Sequence, residues 1–92
     1  MTDYTGWIVR ASAGRDSGGL FCVVGTDPQG LLLIADGKRR KWARPKRKKL
    51  GHVERLTDGS GHPAIQKLRQ GQALTDRELR RTLAAFRDQL EV

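Results

Sequence analysis

The chain has 92 residues, of which 37% are hydrophobic and 30% are charged, and its formal net charge is +8. This length allows one domain with a modest core, and the apolar content excludes wholesale disorder. There is one cysteine and no apolar run near the ~20 residues that span a bilayer. The polar residues 1–6 do not resemble a signal peptide. We therefore expect a reducing, cytoplasmic location and no membrane contact.

The positive charge is concentrated in one part of the sequence. Residues 1–37 contain two basic and four acidic side chains, a net charge of −2. Residues 38–55 contain ten basic and one acidic side chain, a net charge of +9. A protein that is basic only for solubility would spread its charge, so this pattern favours a polyanionic partner such as nucleic acid. The basic stretch has too few apolar residues for a membrane-binding helix, whereas a nuclear-import signal would have a similar composition.

The first part of the chain, residues 1–56, predicts short strands separated by turns. Apolar, β-favouring runs occur at residues 7–9, 20–24 and 31–35, and a last short strand is expected to start at residues 52–53. Asp36 and Gly37 form a typical tight-turn pair. This pattern predicts a small barrel or sandwich. Because residues 31–34 are all apolar, we expect another element to cover the outer face of the sheet.

The last part of the chain predicts helices. Thr75 and Glu78 match a capping box, which marks the start of a helix. The apolar residues that follow recur at spacings of four, three and four, at Leu79, Leu83, Phe86 and Leu90. A shorter helix is expected to begin at Pro63. We therefore predict a linker at residues 57–62 and a helical region at residues 63–92 that packs on the strands.

Few residues could support catalysis. The two histidines and one cysteine do not have the spacing of a zinc site. The glycine-rich residues 14–19 lack the Lys-Ser/Thr pair of an NTPase phosphate loop. Cys22 lies among apolar residues of a predicted strand, so a buried hydrophobe is a better interpretation than a nucleophile. We expect no enzyme activity, no metal and no cofactor.

The strongest functional signal is the basic segment, which we define as residues 38–49. Nine of its twelve residues are cationic, namely Lys38, Arg39, Arg40, Lys41, Arg44, Lys46, Arg47, Lys48 and Lys49. So dense a cluster repels itself, and a bound polyanion would relieve that repulsion. Predicted strands flank the segment on both sides, which argues against an unstructured tail.

Pro45 divides the basic segment into two predicted parts. The first part is predicted to be a strand with Arg40, Trp42 and Arg44 on one face. Residues 46–49 are predicted to be a loop that follows a phosphate backbone, because proline limits strand pairing. Two interpretations of Trp42 stay open, since its ring could stack on a base or belong to the core.

Several strings of the first part resemble the KOW motif of ribosomal proteins and transcription elongation factors. They are GWIVR at residues 6–10, AGRDSG at residues 13–18 and FCVVG at residues 21–25. Two further strings are IADGKRR at residues 34–40 and PKRKKL at residues 45–50. With them, residues 4–55 resemble small bacterial KOW-domain RNA-binding proteins that are related to archaeal and eukaryotic large-subunit ribosomal proteins.

This resemblance implies a mainly β fold with some helix, an SH3-like (KOW) β-barrel followed by a short helical region. It also implies a ribosome-associated protein that binds structured RNA, above all ribosomal RNA, with ribosomal proteins as further partners. Gly14 and Arg15 carry over as RNA-contacting residues of the motif loop. Ser17 and Gly19 stand where the family often has lysine, so we expect the basic segment to carry more of the binding. The alternative is an SH3-like protein-interaction module that acts in transcription or translation.

Overall fold

The strands form where apolar side chains are concentrated, and the helices form where they recur at helical spacing. The structure is a computed structural model that describes residues 4–90, so the outermost ends of the predicted domains lie outside the described residues. The elements in chain order are β1 (Ile8–Ala11), β2 (Leu20–Thr26), β3 (Leu32–Ala35), β4 (Lys46–Lys48), β5 (Val53–Thr57), α1 (Pro63–Arg69) and α2 (Asp76–Leu90). The domain is thus a mixed β/α fold, as predicted.

The five strands form one antiparallel sheet in the order β4-β3-β2-β1-β5. In a flat sheet of five strands the outer two would lie about 19 Å apart. Here residues 49–52 connect them, and the short 3₁₀ turn Leu50–His52 shortens the reach of that connection. Breaks of register at Ile8/Val9 and between Val23 and Gly25 bend β1 and β2 further. The sheet is therefore strongly curved.

Alternating side chains of the strands enter two separate hydrophobic cores. The inner core contains no helix residue and is enclosed by the sheet and its loops, with Val9, Ala11, Phe21, Val23, Leu32 and Ile34 buried. The helix-side core joins strand residues such as Ile8 and Cys22 to Ile65, Leu68, Leu79, Leu83 and Phe86 of the helices. The expectation that another element covers the outer face of the sheet is confirmed for β1 and β2, whereas β3 contributes only Ala35 to the helix-side core and Leu33 belongs to neither core.

The start of α2 has the predicted capping box. The backbone N–H of Glu78 donates to Thr75 Oγ1 at 3.0 Å, and the backbone N–H of Thr75 donates to Glu78 Oε1 at 3.0 Å. Lys67 Nζ lies 2.8 Å from the second oxygen of Glu78, which joins the two helices. The apolar stripe of α2 is shorter than predicted, because Leu90 is 40% exposed. Neither helix within residues 4–90 is long and apolar enough to cross a membrane.

The prediction of a strand with Arg40, Trp42 and Arg44 on one face is wrong. Residues 37–45 contain no strand, and β4 forms instead at Lys46–Lys48, where a loop was predicted. Asp36 Oδ1 accepts from the backbone N–H groups of residues 38 and 40 at 2.9 and 2.8 Å, which closes a turn. Pro45 precedes β4 and therefore removes no donor from its ladder with β3.

Candidate nucleic-acid interface

Most cations of the basic segment are exposed and have no anionic partner. Seven side chains belong to this group, namely Lys38, Arg39, Lys41, Arg44, Lys46, Arg47 and Lys49. Within residues 4–90, Arg40 is the only member of the segment that forms an ion pair. The segment therefore presents a dense positive charge that the described part of the chain does not neutralise.

Arg40 has a structural contact. Its guanidinium lies 3.0 Å from the carboxylate of Asp16, which is only 4% exposed. Asp16 belongs to the glycine loop, which we define as residues 13–19 and which connects β1 to β2. A buried carboxylate needs such a partner, since its desolvation is otherwise costly. The pair ties the glycine loop to the first half of the basic segment.

Lys48 also holds the glycine loop. It pairs with Leu32 across β3 and β4, so its side chain is on the side of the inner core, where it is 8% exposed. Its ammonium group donates to the Ala13 carbonyl oxygen at 2.6 Å. Gly14 has a φ of +80°, and a Cβ there would lie 2.9 Å from Lys48 Nζ. The positive φ therefore favours glycine at this position, and a Cβ would also displace the Lys48 ammonium group.

The end of the glycine loop uses its backbone N–H groups within the fold. The amide of Gly18 donates to Ala11 O at 2.7 Å, and the amide of Gly19 donates to Asp16 O at 3.0 Å. These N–H groups are therefore not available to bind a phosphate. Arg15 is exposed and is the basic side chain that the loop presents.

Helix α2 determines the position of the first half of the basic segment. Asp76 Oδ1 accepts from the backbone N–H of Trp42 at 2.8 Å, and Arg80 donates to Gly37 O at 2.7 Å. Gly37 has a φ of +77°, and any Cβ there would overlap the Asp76 carbonyl oxygen. Trp42 is half-buried and packs against the helix-side core, which accounts for this residue without a ligand. The close approach at Gly37 lets helix and segment form one surface.

Two further cations belong to this surface, and the sequence analysis did not select them. Arg80 and Arg87 of α2 line a groove of about 590 Å³ together with Lys38 and Arg39. Their spacing of seven residues places both on one face of a helix, and this spacing could have predicted from the sequence that they act together. That spacing alone does not say which part of the fold lies beside the face.

Cysteine and the possible metal ligands within residues 4–90 form no cluster. Cys22 is fully buried, and desolvation raises the pKa of its thiol to about 12, so the thiolate is not populated near neutral pH. Among residues 4–90 no group of His, Cys, Asp and Glu is arranged to hold a metal ion. The exposed cations of the basic segment are suited to the binding of anions.

Comparisons with known proteins do not assign a family to the chain. No protein-family model matches the sequence, and a search of curated proteins gave no match. The resemblance to KOW-domain proteins therefore stays a prediction from the sequence. Function must be inferred from the charge and geometry of the described residues.

Proposed function

We propose that this protein is a non-catalytic RNA-binding protein that contacts phosphates through the exposed cations of its basic segment. The observation that carries the proposal is the set of seven exposed cations with no anionic partner among residues 4–90. Cations held this close together repel one another, and the phosphates of a nucleic acid relieve that repulsion while releasing counterions. Phosphate contacts would supply most of the affinity.

The rigid display of these cations supports recognition of a shaped RNA rather than of any polyanion. Arg40 and Lys48 fix the glycine loop against the two halves of the segment, through Asp16 and Ala13. Side chains on a fixed backbone lose less entropy on binding than those of a flexible tail. Structured RNA is recognised mainly through shape and backbone contacts, which suits such a surface.

We also propose the finer identity that the sequence resemblance implies. The curved sheet would be an SH3-like barrel of the KOW type, and the ligand would be ribosomal RNA in the cytoplasm, with ribosomal proteins nearby. Strong curvature and an inner core without helix residues support the barrel. Arg15, at the exposed position of the motif loop, would add a contact beside the basic segment.

The first test is the salt dependence of binding to a fluorescently labelled RNA hairpin. If about six cations pair with phosphates, log affinity should fall with log salt at a slope of roughly −4 to −5. A variant with Lys46→Ser, Arg47→Ser and Lys49→Ser should flatten that slope by about 2 to 3. Lys48 is left intact because it is structural.

The matched control removes the same charge elsewhere, with Arg10→Ser, Arg77→Ser and Arg81→Ser, all of them exposed. It should keep most of the affinity and slope of the parent. A parent slope near zero, or equal losses in both triple variants, would contradict the proposal. Purified protein without nuclease-sensitive absorbance at 260 nm, together with a flat slope, would favour the alternative of a protein-interaction module.

A further inference from the structure

The groove beside α2, which we call the junction groove, lies between three parts of the fold. The glycine loop, the turn that follows β3 and one face of α2 surround its volume of about 590 Å³. Its cations come from the turn and the helix, and they are Lys38, Arg39, Arg80 and Arg87. Residues separated by some forty positions in the sequence thus face one space.

The apolar floor of the junction groove offers little surface to a ligand. Leu20, Phe21 and Leu83 line it, yet they are only 8%, 1% and 3% exposed. Phe21 has no exposed face on which a base could stack, so a ligand in the groove meets mainly cationic side chains. Pockets for small organic molecules are lined mainly by apolar side chains, which does not describe these walls. The lining suits a phosphate and sugar backbone better than a base or a metabolite.

Hydrogen bonds hold two parts of the junction groove, the side chain of Arg80 and the turn at Asp36. Arg80 donates one N–H to Gly37 O at 2.7 Å, and a guanidinium has five N–H donors, so others are left for a ligand. The acidic residue in the lining is Asp36, whose Oδ1 already accepts two backbone N–H groups of the turn. Arg87 is exposed and forms no ion pair within residues 4–90. The net potential of the groove is therefore positive.

We propose that the junction groove holds the phosphate backbone of the bound RNA, so that α2 is part of the RNA interface. This inference rests on the proposed function and extends it from the basic segment to the helix. The backbone of one RNA strand would pass along Lys38 and Arg39 and continue against Arg87. The helical region then has a role in binding as well as in covering the sheet.

The test compares two arginines on the same helix. Arg87→Gln removes a groove cation, and Arg81→Gln removes the same charge from an exposed position outside the groove. One phosphate contact contributes about 0.7 to 0.9 to the salt slope, which corresponds to about 5- to 8-fold in affinity at 0.1 M salt. Arg87→Gln should show this loss with the labelled RNA hairpin, whereas Arg81→Gln should change affinity less than about 2-fold.

A second variant tests whether segment and helix act on one ligand. Arg39→Gln combined with Arg87→Gln should weaken binding about 25-fold or more, with a slope flatter by about 1.4 to 1.8. If Arg87→Gln and Arg81→Gln have equal effects while the parent protein binds with its steep slope, the groove proposal fails and the proposed function stands. If the parent protein does not bind the hairpin even at about 50 mM salt, both fail. Binding of an acidic peptide but not RNA would also overturn both.

Discussion

The two halves of the basic segment are held in different ways. The backbone of residues 37–44 forms no strand, and its N–H groups donate to the side chains of Asp36, which directly precedes it, and of Asp76, which lies far along the chain. Lys46–Lys48, in contrast, forms a regular ladder with β3. Yet each half contributes one cation to the same glycine loop, Arg40 from the first half and Lys48 from the second.

This comparison separates charges that build the surface from charges that the surface presents. Two of the nine cations of the segment are tied to the glycine loop, and the other seven are exposed. A count of basic residues therefore overestimates the number of phosphate contacts. It also misses that two of these cations hold the glycine loop against the segment.

The first half provides the largest expected effect on stability. Arg40→Met should lower the free energy of unfolding by about 2–3 kcal/mol, because it leaves the buried Asp16 carboxylate without its cation. The partial exposure of Arg40 places this loss at the lower end for a buried pair. Urea unfolding followed by circular dichroism measures it. Arg39→Met, next to it but exposed, should cost less than about 0.5 kcal/mol, and equal losses would remove the distinction between the two arginines.

The second half should show a smaller effect of the same kind. Lys48→Ala should cost about 2 kcal/mol, because a charged hydrogen bond to Ala13 O and a packed aliphatic stem are both lost. Lys46→Ala, on the same side of β4 but exposed, should be nearly neutral for stability. The order should reverse for RNA affinity, because Lys46→Ala should bind RNA more weakly than the folded fraction of Lys48→Ala. A Lys48 variant as stable as the parent would contradict a structural role.

The smallest expected effect on stability concerns the start of α2, which holds the first half of the basic segment through Asp76. The hydrogen bond from Lys67 and that from the Thr75 backbone hold the pKa of Glu78 below its ordinary value of 4.5. A lowered carboxyl pKa stabilises the fold above the unfolded-state value and loses this effect as the pH falls through the folded-state value. The stability of the parent should therefore fall more steeply than that of Glu78→Gln on acidification below about pH 5. Parallel urea-unfolding profiles would show that this carboxylate does not stabilise α2.

The regular parts of the fold were predictable because their signals are local. The apolar runs of β2 and β3 and the capping box at Thr75 and Glu78 are each complete within a few residues. The backbone conformation of residues 38–45 was not predictable from such local signals. Their backbone partners include Asp76, which lies 34 residues beyond Trp42 in the chain. A run of basic residues carries no information about a partner so far away.

By itself the sequence determined where the positive charge is concentrated, that the chain folds as strands followed by helices, and that Cys22 is buried. Only the tertiary structure decided which cations a ligand can reach. Arg40 and Lys48 lie next to exposed cations in the sequence. Only their contacts with the glycine loop distinguish them from these neighbours. Likewise Arg80 and Arg87 face the junction groove because packing of the helix-side core places α2 beside the turn after β3. Charge is a property of each residue, whereas its availability depends on contacts between residues far apart in the chain.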